Sequence, residues 1–261
     1  MSTETTYVAK KPDHRGFIAY SAEENQTWSI LLARQMTRVG QATTSEFVAG
    51  LRRLDLPVDR APQCAEVSRV LGAATGWKVS PVAALIELDV FFQMLARCEF
   101  PAASFLRRRD ELNYLREPDL FHEIFGHAPL LCHPEFARFT QKYGELGVTA
   151  NAQEREVLAR LYWFTIEFGL IQKSNDDLRV YGAGIASSIS ETTHALESED
   201  VDRRPFQLDE VLRHDYRIDK IQPTYFVLDS FEQLFATVDD DLMAKVRAVC
   251  AEDDVERRSA A

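Results

Sequence analysis

The chain has 261 residues, 46% hydrophobic and 27% charged, a composition that suits a globular protein with a substantial buried core. Its formal net charge is −11 and its densest basic run is Arg107-Arg108-Arg109, so nucleic acid, which demands clustered positive charge, is not an expected partner. No stretch approaches the roughly 18 apolar residues of a membrane span, and the polar start Met1-Ser-Thr-Glu-Thr-Thr carries no signal pattern. The sequence therefore predicts a cytoplasmic protein without a membrane partner. Cys64, Cys98, Cys132 and Cys250 form no C-x-x-C pair and read as reduced small hydrophobes.

Residues 1–20 read as an irregular polar arm. Ser21-Ala-Glu-Glu24 is a capping-box pattern, and Trp28, Leu31, Leu32 and Met36 recur behind it at helical spacing. Thr44 or Ser45 can cap a second helix carrying Phe47, Leu51 and Leu54. Residues 63–72 and 87–97 repeat the helical period, separated by Gly76-Trp-Lys-Val-Ser-Pro-Val, which reads as a short extended segment. Another extended piece falls near Ala103–Leu106. The pattern is helical again from Asp119, punctuated by Gly126, Pro129 and Pro134, and the clearest helix is Ala152–Ile171. Arg179–Ile185 and Tyr216–Ile218 are short strand candidates. Phe231–Val249 reads as the last helix, followed by a charged, fraying tail over Ala251–Ala261. No repeat or long linker interrupts the chain, so the expectation is a single domain over 1–261, mainly α with small β elements.

The informative segment is Glu117-Pro-Asp-Leu-Phe-His122-Glu123-Ile-Phe-Gly126-His127-Ala-Pro129. It differs from the zinc-protease pattern H-E-x-x-H because its histidines are five apart. On a straight α-helix residues five apart diverge by about 140°, so both imidazoles cannot face one metal. If the helix ends at Gly126, backbone freedom there can turn His127 back toward His122, and Pro129 disfavours further helix.

Two histidines need a third ligand. Glu167 stands alone in the apolar helix Tyr162-Trp-Phe-Thr-Ile-Glu167-Phe-Gly-Leu, and a buried carboxylate requires a partner. Two His and one carboxylate with open positions is the facial arrangement of non-haem iron(II) oxygenases. A salt bridge would satisfy Glu167 equally well. Glu123 is a rival ligand, although its adjacency to His122 points it to another face.

Five segments, taken together, resemble the pterin-dependent aromatic amino acid hydroxylases, most closely the bacterial members that act on phenylalanine. They are Gly76-Trp-Lys-Val-Ser-Pro-Val-Ala, Glu117 to Leu130, Leu158-Ala-Arg-Leu-Tyr-Trp-Phe-Thr-Ile-Glu-Phe-Gly, Tyr181-Gly-Ala-Gly-Ile-Ala-Ser-Ser and Ile221-Gln-Pro-Thr-Tyr-Phe-Val. They fall in family order over roughly residues 5–235. The resemblance implies the family's mostly helical catalytic-domain fold, with iron at the base of a deep cleft.

It further implies Fe(II) held by His122, His127 and Glu167, and tetrahydrobiopterin or a related tetrahydropterin as cosubstrate. Phe91 is then the ring that stacks on the pterin, and Glu123 the catalytic acid beside it. Arg107 pairs with the substrate carboxylate, and Trp163, Phe168, Gly184, Ser187 and Ser188 line the substrate pocket. Without the resemblance, Phe91 and Trp163 read as core packing and Arg107 as solvated surface.

The implied reaction converts L-phenylalanine, O2 and tetrahydropterin to L-tyrosine, in phenylalanine catabolism. Trp163 favours phenylalanine over tryptophan. Hydroxylation of tryptophan or tyrosine is the alternative, as is a metal- or amino-acid-binding protein without turnover. The length leaves no room for the regulatory domain or oligomerisation helix of the animal enzymes, so a monomer is expected. Leu115 and Arg116 stand where animal enzymes carry a threonine, and Ile86-Glu-Leu-Asp89 replaces their serine-rich pterin loop.

Overall fold

Ser21 opens the first helix as its pattern predicts. Its Oγ accepts from the Glu24 N–H at 3.2 Å while Glu24 Oε2 accepts from the Ser21 N–H at 2.7 Å, satisfying two of the helix's unpaired donors. The computed structural model describes residues 7–82, 86–113, 117–174, 177–218, 220–239 and 241–259. Residues 1–6 of the expected arm, Leu115 and Arg116, and the last two residues of the expected tail lie outside them.

In α1 (Ala22–Ala42) Trp28, Leu31 and Leu32 enter the core, but Met36 stays exposed and the buried stripe continues through Gln35 and Val39. Thr44 caps α2 (Ser45–Leu54), and α3 (Cys64–Thr75) follows, ending at Gly76 with φ 82°. A parallel β-α-β unit comes next: β1 (Lys78–Val82), α4 (Leu88–Ala96) and β2 (Glu99–Ala103). The second strand begins before the expected Ala103, because Cys98 adopts a left-handed φ of 55° and turns the chain off α4 directly into the strand.

After a π-helical turn at His122–His127 come α5 (Ala128–Leu131), α6 (Pro134–Thr149) and α7 (Ala152–Tyr162). The helix expected to reach Ile171 instead widens into a second π turn at Trp163–Glu167, and Leu170 already belongs to β3 (Leu170–Gln172). Of the expected strand over 179–185, only β4 (Leu178–Val180) pairs; from Gly182 the chain coils into α8 (Ala183–Ala186), then α9 (Ile189–Glu197).

Next follow β5 (Asp202–Pro205), α10 (Leu208–Val211) and β6 (Thr224–Leu228). The sheet runs β4-β3-β6-β5, with β3 antiparallel to β4 and parallel to β6, and β5 parallel to β6. Tyr216–Ile218 joins no strand. The strand lies later, in β6, whose buried residues do not alternate and so give no period-two signal.

The last expected helix is two: α11 (Phe231–Ala236) and α12 (Leu242–Ser259). The second runs well past Val249 because tertiary contacts hold it. Gln153 Nε2 donates to Cys250 O at 3.1 Å, and Arg213 makes a two-pronged pair with Glu252 at 2.8 and 2.9 Å. The expected balance of helix over sheet holds. Among the described residues no helix is long and apolar enough to cross a membrane.

Candidate active site

The two π turns meet inside the helical layer, and they explain the five-residue histidine spacing. The helix does not end at Gly126. It widens, and in a π turn residue i+5 returns over residue i, so His122 and His127 face one point. Gly126 serves another purpose. A Cβ there would lie 2.9 Å from Ala183 O and 3.0 Å from Ala183 Cβ, so the missing side chain is what lets α8 approach the turn. The second π turn is closed by the Phe168 N–H on Trp163 O at 2.9 Å and ends on Glu167.

Three donors converge. His122 Nε2 lies 3.1 Å from His127 Nε2, His127 Nε2 lies 3.1 Å from Glu167 Oε1, and His122 Nε2 lies 3.5 Å from Glu167 Oε2. Ligand atoms at right angles about one ion, each roughly 2.1 Å away, are about 3 Å apart, so these spacings suit a shared cation. Glu123 also approaches, contrary to its expected facing, with Oε2 3.9 Å from His127 Nε2, and it groups with both histidines as a possible ligand set. Glu167 is nearer to both histidines.

The protonation states point the same way. Burial pushes the His122 imidazole down to about 4. Burial works against charge on Glu167, yet His127 and His122 beside it keep its carboxyl below the ordinary range. Burial, then the negative charges of Glu167 and Asp119, hold the Glu123 carboxyl well above that range. A neutral imidazole and an ionised carboxylate are what a divalent cation binds, so of the two carboxyls Glu167 is the better suited ligand.

Ser187 fixes the ring of His122. Its Oγ–H donates to Ala183 O at 2.8 Å, so the 3.0 Å contact with His122 Nδ1 has the imidazole as donor. That tautomer leaves the Nε2 lone pair free toward His127 and Glu167. The donor set therefore fits iron(II): two imidazole nitrogens and a carboxylate on one side, open on the other.

Two cavities adjoin this point and share Pro118, His122, Trp163 and Glu167 in their walls. The first, about 330 Å³, reaches Arg107 and is also lined by Phe168, Gly184, Ser187 and Ser188. Arg107 is buried. Its Nε and Nη2 donate to Asp119 at 2.8 and 2.9 Å, and its backbone N–H to the same carboxylate at 3.0 Å. Burial opposes ionisation of Asp119, but Arg107 outweighs it and holds the carboxyl below its usual range. Among the described residues no hydrogen bond engages Nη1, which leaves it for a further anion.

Trp163 packs between Tyr216 (centroids 4.5 Å, 19°) and Phe168 (4.6 Å, 39°), and a Cβ at Gly184 would lie 2.8 Å from Phe168 Cζ. Ser188 lines this cavity too, but its hydroxyl caps α9 by accepting from the Glu191 N–H at 3.3 Å.

The second cavity, about 260 Å³, is lined by Phe91, Phe100, Tyr162 and Glu123 among others. Phe91 stands edge-on to Tyr162 (5.2 Å, 89°), and Ile86 and Leu88 of the 86–89 segment are in its wall. Every expected site residue thus borders the donor cluster or one of its two cavities.

Asp119, Tyr216, Gln222 and Glu191 were not foreseen. Asp119 had a signal, a second acid inside the histidine segment. Gln222 lies in the segment Ile221-Gln-Pro-Thr-Tyr-Phe-Val that carries the resemblance, whereas nothing in the local pattern marks Tyr216, which reaches the site from an irregular stretch.

A sequence profile described as biopterin-dependent aromatic amino acid hydroxylase matches residues 2–245. The phenylalanine-4-hydroxylase of Pseudomonas aeruginosa is 48% identical over 242 residues, covering 93% of this chain and 92% of that protein. The apo structure of a cold-active phenylalanine hydroxylase from Colwellia psychrerythraea superposes with a TM-score of 0.90 at 47% identity, over 94% of this chain and 95% of that one. The Chromobacterium violaceum phenylalanine hydroxylase with bound oxidised Fe(III) gives 0.86 at 44%, over 92% and 86%. With donor triangle, paired cavities and matches along nearly its whole length, the chain belongs to the biopterin-dependent aromatic amino acid hydroxylase family.

Proposed function

We propose that this enzyme is a phenylalanine 4-monooxygenase, converting L-phenylalanine, O2 and a tetrahydropterin to L-tyrosine. The observation that carries the reading is the 330 Å³ cavity with a buried arginine at one end and the His122–Glu167 donors in its wall. Such a slot takes an amino acid by its carboxylate and delivers its ring to the metal.

In this reading His122, His127 and Glu167 hold Fe(II), which when bound supplies the O2 and one-electron chemistry that side chains lack. The chain's own residues do the rest. Asp119 occupies two donors of Arg107 and aims the guanidinium, whose free Nη1 takes the substrate carboxylate. Trp163 and Phe168 flank the ring, with Gly184 and Ser188 closing the wall. Ser187 keeps His122 in its ligating tautomer. Across the donor cluster Phe91 offers a face for the pterin, and Glu123, whose carboxyl burial pushes up, can donate to a pterin acceptor when it carries its proton. Burial of this machinery limits water and holds both reactants close to one point.

The reading extends to a cytoplasmic monomer acting in phenylalanine breakdown, a single catalytic unit over 1–261. The net charge of −11 favours separated copies. A light-scattering mass of one chain is expected, and a stable dimer would overturn that part.

The main test is anaerobic loading with Fe(II), then phenylalanine, tetrahydropterin and air. Tyrosine should form, with kcat/KM for phenylalanine above those for tryptophan and tyrosine. Iron-loaded protein that binds phenylalanine without forming tyrosine would overturn the reading in favour of a mere binder. A higher value for tryptophan would move it to the neighbouring activity.

A further inference from the structure

Gln222 is buried, 2% exposed, yet it lies in the wall of the substrate-side cavity. Its side-chain amide has every polar position filled. Oε1 accepts from the indole Nε1–H of Trp163 at 3.0 Å. Nε2 donates to Arg217 O and to Lys220 O, both at 2.9 Å. With both hydrogens on carbonyls the amide cannot be flipped, because an oxygen facing them would be repelled.

The backbone of Gln222 is tied as firmly. Its N–H donates to Glu191 Oε1 at 3.2 Å, an oxygen that also accepts from the Tyr225 hydroxyl at 2.6 Å. Its carbonyl meets His194 Nε2 at 3.1 Å. The residue is thus anchored in α9 and β6 and reaches out with one rigid amide.

That amide joins two things that both face the substrate. One is the Trp163 indole, whose rotation a single N–H tie can hold. The other is the stretch before Gln222, whose described residues 216–218 and 220–221 belong to no strand. Tyr216 stacks on Trp163, and Ile218 and Ile221 line the cavity. Without Gln222 the indole plane would rest on stacking alone, which fixes a distance but tolerates sliding.

We propose that Gln222 is a positioning residue that sets the aromatic-substrate preference by locking the Trp163 indole into one wall with Tyr216, Ile218 and Ile221. The inference rests on the phenylalanine-hydroxylating reading above. A tilted indole widens or narrows the slot for the substrate ring, so the choice among aromatic substrates depends on the tie between Oε1 and Nε1–H.

Gln222→Met keeps the chain length and removes every amide hydrogen bond. Losing a buried hydrogen bond at this point should lower kcat/KM for phenylalanine by about 5- to 10-fold, mostly through KM, and change the phenylalanine-to-tryptophan ratio of kcat/KM by about 3-fold or more. Iron content should stay at the wild-type level. In a Trp163→Phe background, which has no indole to hold, Gln222→Met should leave that ratio within about 2-fold of Trp163→Phe alone. Equal ratio changes in both backgrounds would overturn the proposal.

A second readout needs no turnover and so separates this inference from the reaction assignment. Of the chain's three tryptophans, only the Trp163 indole N–H signal of metal-free protein should shift in Gln222→Met, with those of Trp28 and Trp77 unmoved. An unshifted Trp163 signal would overturn the tie even if tyrosine formation were never observed.

If Gln222→Met does not fold, Gln222→Glu sets an oxygen against the Arg217 and Lys220 carbonyls, which should displace the side chain that holds the indole and change the substrate ratio by about 3-fold or more. A ratio within about 2-fold of wild type together with an unshifted Trp163 indole signal would overturn the proposal.

Discussion

The two cavities share a wall but are built from different materials. The substrate-side cavity ends in a buried ion pair, Arg107 with Asp119, and is closed by side chains locked in hydrogen bonds. The cavity that reaches Phe91 is walled largely by rings, Phe91, Phe100 and Tyr162, together with Glu123, whose carboxyl burial holds well above its ordinary range. The first can tell ligands apart by charge and by the direction of a hydrogen bond. The second selects mainly by flatness and shape, and so should be more permissive. In the proposed reading, where the two cavities hold an amino acid and a pterin against one metal, this asymmetry would keep each ligand from fitting well in the other's place.

The strongest way to break the comparison is to remove what the cavities share. His122→Ala takes away a donor common to both walls, and tyrosine formation should fall below detection with loss of bound iron by elemental analysis. Full activity and full iron content would mean that the metal lies elsewhere.

A smaller effect is expected at the charged end. Arg107→Met should raise KM for phenylalanine by about 10- to 100-fold, the worth of a charge-assisted hydrogen bond, and leave the dissociation constant for tetrahydropterin unchanged. Equal weakening of both ligands would dissolve the distinction between the cavities. The same substitution leaves Asp119 buried without its partner, so some stability is lost too.

That loss has a pH signature. The folded Asp119 pKa lies below its unfolded value of about 3.9. Its contribution is therefore fully present above about pH 4 to 5 and is lost as pH falls through the folded pKa. Asp119→Asn should be less stable than wild type in urea at pH 7, with the gap closing toward pH 3.

On the aromatic side, Phe91→Ala should raise KM for tetrahydropterin by about 3- to 10-fold, the range of one stacking contact, without moving KM for phenylalanine. A change confined to phenylalanine would show that Phe91 belongs to the other cavity.

The sequence made these two walls legible to different degrees. Most helices were readable because caps and apolar spacing are local, as at Ser21 and Thr44. The family likeness supplied Arg107 and Phe91, which local pattern alone presents as surface and core. What stayed hidden was non-local or non-ideal. The π turns at His122–His127 and Trp163–Glu167 break the 3.6-residue period on which spacing arguments rest, so the histidines were joined by the wrong device, a helix end at Gly126. Asp119 and Gln222 reach the cavity walls through partners 12 and 59 residues away along the chain, Arg107 and Trp163. β6 is buried without alternating, and α12 is held by Arg213 and Gln153, which no pattern within the helix can announce.

The smallest expected effect calibrates the rest. Tyr181 is buried at the end of the segment that leads into α8, and its hydroxyl has no hydrogen-bond partner among the described residues. Its ring packs edge-on against Phe231, away from both cavity linings. A buried donor without a partner costs about 1–3 kcal/mol, so Tyr181→Phe removes a penalty and loses no bond. The variant should keep both KM values and be at least as stable as wild type, with a gain of up to about 1 kcal/mol in urea denaturation. A clear loss of stability would mean that an ordered water satisfies the hydroxyl. A change in one KM alone would show that α8, capped at its C-terminus by Ser187 beside His122, transmits packing changes to a single cavity, and that the two walls are less independent than their composition implies.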